Sequence, residues 1–274
     1  MQKGGLFKLF FIIITATLLF SCGGGFRKLE KSDDWKLKYQ GALEYYENED
    51  YSRASILFEQ ILPIIRGVPE GEDVQFKLSY CNFHQGLYLL SSHYFKTFYE
   101  TYGRSEKAEE AQYMYAYSLF ADSPVFNLDQ TSSYEAIDAI QTFINKYPNS
   151  EFREEASKII DQMQEKLETK AYEKAKQYLK LRIYKSAIVA FENFRDEYPD
   201  SEYNEEIFFL KIEAQHDLAE QSLYSKQKER YQLVKEYYEY FIDNYPNSSH
   251  LKSAEKYYGN SIDNLSKFAT DIKL

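Results

Sequence analysis

The chain has 274 residues, with 33 Lys and Arg against 43 Asp and Glu, a formal net charge of −10 and a pI near 5.1. A net-acidic protein lacks the field that draws proteins to phosphate backbones, which argues against nucleic-acid binding. Charged residues at 28% and hydrophobic residues at 44% describe an ordered chain, and 11 Gly and 6 Pro are too few turn residues for a loop-rich β-sandwich. Aromatic content stands out at 18%, with 27 Tyr and 20 Phe but one Trp. The fold must use rings repeatedly, and tyrosine above all.

The acidic total hides a basic, apolar head. Residues 1–21 carry Lys3 and Lys8, no acid, and an apolar run from Leu9 to Phe20. That run has the length of a signal-peptide core, whereas a spanning helix needs roughly 20 residues. It ends Leu19-Phe20-Ser21-Cys22, which resembles the lipobox of bacterial lipoproteins. The resemblance implies cleavage before Cys22, acylation of its thiol and of the new amino group, and a lipid-anchored chain. The alternative is an ordinary secretory signal with an incidental cysteine. Gly23-Gly24-Gly25 opens an expected flexible tether over residues 22–34. Gly23 after the cysteine, with no acidic cluster following directly, matches bacterial sorting to the outer membrane and its periplasmic leaflet. Loss of Lys3 and Lys8 with the signal takes the formal charge from −10 to −12. Cys81 is the only other cysteine, so no intramolecular disulfide is expected and packing must hold the fold.

Internal repeats define the architecture. Four turns share one pattern: Tyr102-Gly-Arg-Ser105, Tyr147-Pro-Asn-Ser150, Tyr198-Pro-Asp-Ser201 and Tyr245-Pro-Asn-Ser248. Eight residues before the proline position stand Phe95, Ile140, Phe191 and Tyr238, and five before it Phe98, Phe143, Phe194 and Phe241. Twelve before it are the smaller Ser91, Ala136, Ala187 and Val234. Spacings of three and four put these residues on one helix face, where the small one admits a neighbouring helix and the ring fills the groove beside it. Tyr51, Tyr88, Tyr184 and Tyr231 precede the small position by three on the same face. Proline ends each helix and serine is expected to cap the next.

This helix-hairpin repeat resembles the tetratricopeptide repeat, best in Ala42, Tyr45, Tyr51, Ala54 and Phe58. The expected fold is all-α: an α-solenoid of about five irregular pairs with a closing carboxy-terminal helix over Ser249–Leu265. A plain bundle or a coiled coil would not need the recurring turn. The turn tyrosines lie 45, 51 and 47 residues apart, longer than the usual spacing of about 34, so insertions are expected. They are placed at Ser123–Gln130, in one long helix from Glu151 to about Lys180 with Ile159, Ile160, Met163, Leu167 and Ala171 inward, and in a break from Ser222 to Lys228.

The lipobox, the irregular repeats, and the run from Ala111 to Phe120 followed by Ser123-Pro124 and Leu128-Asp129-Gln130 resemble the BamD family. Members of that family are lipoprotein subunits of the β-barrel outer-membrane assembly machine. The similarity runs from about Trp35 to Phe268. Gly103 in place of the turn proline and Ser91 in place of alanine depart from the repeat pattern. The resemblance implies a non-enzymatic scaffold. Its carboxy-terminal half, 149–274, would bind the periplasmic domains of BamA. Its amino-terminal half, 35–148, would form a groove for aromatic-rich signals of unfolded outer-membrane protein precursors. Tyrosines off the repeat period, Tyr46, Tyr94, Tyr99, Tyr113, Tyr115 and Tyr117, are candidates for lining that groove; the alternative for each is a structural role. Because the turns occur in many repeat lipoproteins, a cell-division or envelope adaptor is the competing reading.

No catalytic constellation stands out. His84, His93, His216 and His250 are scattered; Cys81 and His84 lie one helical turn apart, but no second pair accompanies them, so packing is expected rather than metal. Asp129 has no His or Ser partner, and turn or cap hydrogen bonding with Gln130 is its expected work. Acidic clusters at Glu47–Asp50 and Glu106–Glu110 read as solvated helix ends. No metal or other cofactor is expected.

Overall fold

The computed structural model describes residues 23–270, and among them every regular element is a helix. In chain order these are α1 (Gly23–Glu30), α2 (Trp35–Glu47), α3 (Tyr51–Ile61), α4 (Pro69–His84), α5 (Tyr88–Thr101) and α6 (Ala108–Asp122). Then follow α7 (Thr131–Lys146), α8 (Arg153–Lys180), α9 (Tyr184–Glu197), α10 (Asn204–Glu220), α11 (Tyr224–Asn244) and α12 (Leu251–Thr270). The fold is an α-solenoid of tetratricopeptide-like pairs: α2/α3, α4/α5, α6/α7, α8/α9 and α10/α11, with α12 packed on α11. Two compact units form. One runs to Pro124 and includes Asp129–Met163; the other comprises Val125–Leu128 and everything from Gln164. The division thus falls inside α8.

The expected repeat positions are core. Ser91, Ala136, Ala187 and Val234 are all fully buried, as are Phe95, Ile140, Phe191, Phe98, Phe143 and Phe241; Phe194 is 2% exposed and Tyr238 half-buried. Burying one such ring contributes roughly 1.5–3 kcal/mol, and it requires the small residue one turn away to let the next helix close in.

The four turns are one structure. In each, the Tyr N–H donates to the Phe carbonyl four residues earlier at 2.7–2.9 Å, and the Ser N–H donates back to the Tyr carbonyl at 2.9–3.2 Å. Phe and Tyr rings pack at 5.2, 5.5, 5.2 and 5.4 Å between centroids. Gly103 supports the same bonds as proline does. Each Ser Oγ accepts the N–H two residues on, at Lys107, Phe152, Tyr203 and His250. The serine therefore closes a tight lead-in turn and stands three residues ahead of the helix rather than directly at its cap.

The residue whose N–H is held this way has a second role. Lys107 sits over the Phe76 ring at 5.1 Å, Phe152 stacks on Tyr113 at 4.6 Å, Tyr203 on Tyr172 at 4.2 Å and His250 on Phe209 at 4.6 Å. Phe76, Tyr113, Tyr172 and Phe209 each belong to the first helix of the pair before. A ring contact thus joins each pair from the second onward to the lead-in of the helix that follows, which accounts for a further share of the aromatic excess.

The turns within pairs show a rule that the residue types conceal. Glu49 and Arg182 have φ of 60° and Gly86 of 73°. At all three the next N–H donates to a carbonyl five residues back at 2.9 Å: Asp50 to Tyr45, Leu87 to Asn82, Ile183 to Tyr178. This is the Schellman helix ending, which glycine adopts freely and other residues adopt at a cost of about 1 kcal/mol.

Three expectations are corrected. The stretch taken as a flexible tether contains α1, whose Phe26 packs edge-on to Tyr45 at 5.7 Å. Gly41 lets α1 approach: a Cβ there would lie 2.6 Å from Leu29 Cδ1. The break in the last pair spans only Gln221–Leu223, because Tyr224 already begins α11. On α8, Ile159, Met163 and Leu167 are buried as expected, while Ile160 and Ala171 are half-buried. Cys22 and the apolar head lie outside the described residues. Among those described, no helix is long and apolar enough to cross a membrane.

Candidate partner-binding site

The first helices of the first three pairs, α2, α4 and α6, are cross-linked by a polar ladder with the 34-residue period that the turns conceal. Tyr39 Oη donates to Asp73 Oδ2 at 3.0 Å, and Lys107 Nζ reaches Asp73 Oδ1 at 3.1 Å. Lys77 adds a third contact to Asp73 at 2.9 Å. Burial pushes the Asp73 carboxyl up, but hydrogen bonds from Lys77, Lys107 and Tyr39 outweigh it and hold the group below its ordinary value. Tyr39 is pushed up to about 12 by burial and then by the Asp73 charge. Tyr80, 34 residues after Tyr46, donates to Glu110, and burial followed by that bond raises its phenol further.

Asp73→Asn is expected to cost about 1 kcal/mol at pH 7, since two half-exposed lysines lose their counter-charge. A lowered carboxylate stabilises the fold fully above its unfolded value near 4 and ceases to do so as pH falls through the folded one. The stability gap between wild type and variant, from denaturant melts, should therefore close between pH 5 and 2. A gap that stays constant over this range contradicts the ladder.

The six candidate groove tyrosines pack on two clusters, Tyr46 and Tyr94 on the first-pair core and the other four on the next. Tyr46 lies on α2 edge-on to Tyr51 and Phe58, with Lys77 Nζ 5.5 Å from its ring, and burial raises its phenol. Tyr94 packs on the same first-pair core from α5, beside His93. Tyr99 and Tyr115 meet between α5 and α6 at 5.8 Å, with Lys96 5.7 Å from Tyr115 and Lys146 5.9 Å from Tyr99. Burial pushes Tyr99 up to about 12. Tyr117 contacts Phe83, Phe120 and Tyr113. Tyr113 leaves the candidate set: at 6% exposed it is core, stacked on Phe152 as the repeat requires. Its placement off the turn period concealed a second period, set by the first helix of each pair.

The motif loop works as a helix start. Asp129 Oδ1 accepts the N–H of Thr131, the first residue of α7, at 3.0 Å, and buried Gln130 accepts from the Ser133 hydroxyl at 2.6 Å. Ser123 closes α6 through the Phe120 carbonyl at 2.7 Å, and Pro124 follows. Leu128 is 55% exposed, and Lys170 of α8 donates to the Phe126 and Leu128 carbonyls. Cys81 is fully buried, pushed up to about 12 by burial, and His84 stacks on Tyr51 at 4.3 Å. That pair is packing.

Sequence reasoning missed an apolar surface at the start of α5. Leu87, Leu89 and Leu90 are 48, 66 and 39% exposed and line an open pocket of about 480 Å³ with Gly86, Tyr88, His93 and Asp122. A run of leucines beside Gly86 was the available signal.

Comparison with family models matches residues 32–233 to YfiO, described as an outer membrane lipoprotein. The match takes in the ladder, the motif loop and all but the end of the last pair. The chain belongs to the YfiO family, which is the BamD family. No curated protein matches it. Outer-membrane localisation and a lipoprotein character follow at the level of the YfiO family.

Proposed function

We propose that this chain is a non-enzymatic scaffold lipoprotein of the outer-membrane β-barrel assembly machine. Acylated at Cys22 and held in the periplasmic leaflet, it binds the periplasmic domains of BamA through residues 149–274. It receives carboxy-terminal signals of unfolded barrel precursors on residues 35–148. The observation that carries this reading is the YfiO match over residues 32–233. The rings of Tyr99 and Tyr115 beside Lys96 and Lys146, and Tyr46 beside Lys77, support it: aromatic faces next to ammonium groups suit an extended, ring-rich segment ending in a carboxylate.

Affinity purification from envelopes tests the partner. BamA should be recovered with the chain, and its absence would sink the reading. A photo-crosslinking residue at Tyr115 should then capture a precursor carboxy-terminal peptide, whereas one at core Tyr113 should not. Equal capture at both positions would remove these rings from the peptide site.

A further inference from the structure

The last two turns of α10 hold a group that the packing and partner reading leave unused. His216 is 4% exposed, enclosed by Tyr231 of α11 and Tyr257 of α12, whose rings lie 6.2 and 4.9 Å away. Its Nδ1 is 3.4 Å from Asp217 Oδ1, while its Nε2 is buried and has no hydrogen-bond partner. The nearest charged atom to Nε2 is Glu220 Oε1 at 4.0 Å. Glu213, one turn earlier, also faces His216 and Asp217 and bonds to Tyr257.

A proton on Nδ1 directed at Asp217 leaves Nε2 as a bare lone pair, and that lone pair then faces a carboxylate. A buried lone pair with no donor is unfavourable, the facing carboxylate adds to the cost, and a cation between the two reverses the sign. The sequence spacing suits one. Histidine and glutamate at i and i+4 share a helix face, so one ion can take both side chains. Metal–nitrogen and metal–oxygen bonds of about 2.0–2.2 Å at a tetrahedral angle hold the two atoms roughly 3.4 Å apart, somewhat less than the 4.0 Å seen. The Glu220 side chain, 57% exposed, can close the rest. Asp217 behind Nδ1 is the carboxylate that commonly orients a metal-bound imidazole. Ligand atoms of His216, Asp217 and Glu220 lie within 4.8 Å of one another.

We propose that His216 and Glu220, with Asp217 orienting the imidazole or joining as a ligand, bind a divalent transition-metal cation. One imidazole nitrogen with carboxylate oxygens is the donor set of a zinc-like ion; magnesium and calcium favour oxygen alone. All three residues lie on α10, so the ion would fix the imidazole in its place between Tyr231 and Tyr257. The proposal does not depend on the partner reading above.

Zinc chloride is the probe, added to the full-length protein in detergent and followed by equilibrium dialysis and thermal melting. One zinc per chain and a rise in melting temperature are expected, since a ligand that binds the folded state alone stabilises it. Glu220→Gln, which removes the carboxylate charge facing Nε2, should not lower the metal-free melting temperature and should weaken zinc binding at least tenfold. His216→Gln should abolish it; if that variant does not fold, Glu220→Gln decides alone. Absence of stoichiometric zinc, undiminished binding by Glu220→Gln, or an equal melting shift with magnesium chloride would overturn the proposal.

Discussion

Replacing Ala187 by arginine is expected to lower the melting temperature of the chain by about 10 °C or more. Ala187 is fully buried on α9, in a core with Tyr172, Ala175, Phe191, Ile207 and Ala214. The repeat demands a small residue there because α10 closes over it. An arginine overfills that space and carries an unpaired charge into an apolar core, and each fault alone costs several kcal/mol. Val189, two residues on, is 54% exposed, so Val189→Arg should melt like wild type. Equal melting of the two variants would mean that the helix register assigned to α9 is wrong.

Cys22→Ser is expected to abolish acylation and, with it, recovery of a mature chain in the outer membrane. One acyl chain holds a protein reversibly, whereas two or three hold it stably, so the proposed anchor rests on the cysteine. Charge offers no substitute, because the chain without its head is net −12 and anionic lipid repels it. Labelled palmitate should mark the wild type only, and the variant should persist uncleaved or turn soluble. Unchanged outer-membrane recovery of an unlabelled, processed chain would refute lipidation. The folded α1 adds a geometric consequence. With Gly23 already helical and Phe26 and Leu29 packed on the first pair, anchoring at Cys22 would keep that pair close to the bilayer. Phe26→Asp, which releases α1, should leave acylation intact.

Much of the fold was readable because its signals are local. Proline stops a helix, serine turns the chain into the next, and rings at three- and four-residue spacings select a face, each within about a dozen residues. Hence Ala187, Phe191 and Phe194 could be placed in the core without coordinates. The turn with Gly103 was readable for the same reason: Tyr102 and Ser105 carry its hydrogen bonds, whatever stands between them.

The candidate site was less legible. Tyr99, Tyr115 and Tyr113 were set apart together from the turn period, although Phe152 covers Tyr113. Tyr39 and Tyr80 were passed over, although they bond across helices to Asp73 and Glu110. Glu49 and Arg182 give no hint of the conformation that Gly86 declares openly. His216 read as one of four scattered histidines, since nothing in a His-Asp-x-x-Glu string states that Nε2 is buried.

The sequence by itself thus determined an all-helical repeat, the turn chemistry and the small-and-aromatic helix face. These depend on backbone preferences and on spacing within one helix. Only the tertiary structure decided which ring covers which, that Asp73 gathers Tyr39, Lys77 and Lys107, and that α1 folds where a tether was expected. A side chain's burial and partners are set by the neighbouring helix, often 34 residues away, and no local pattern encodes what that helix presents.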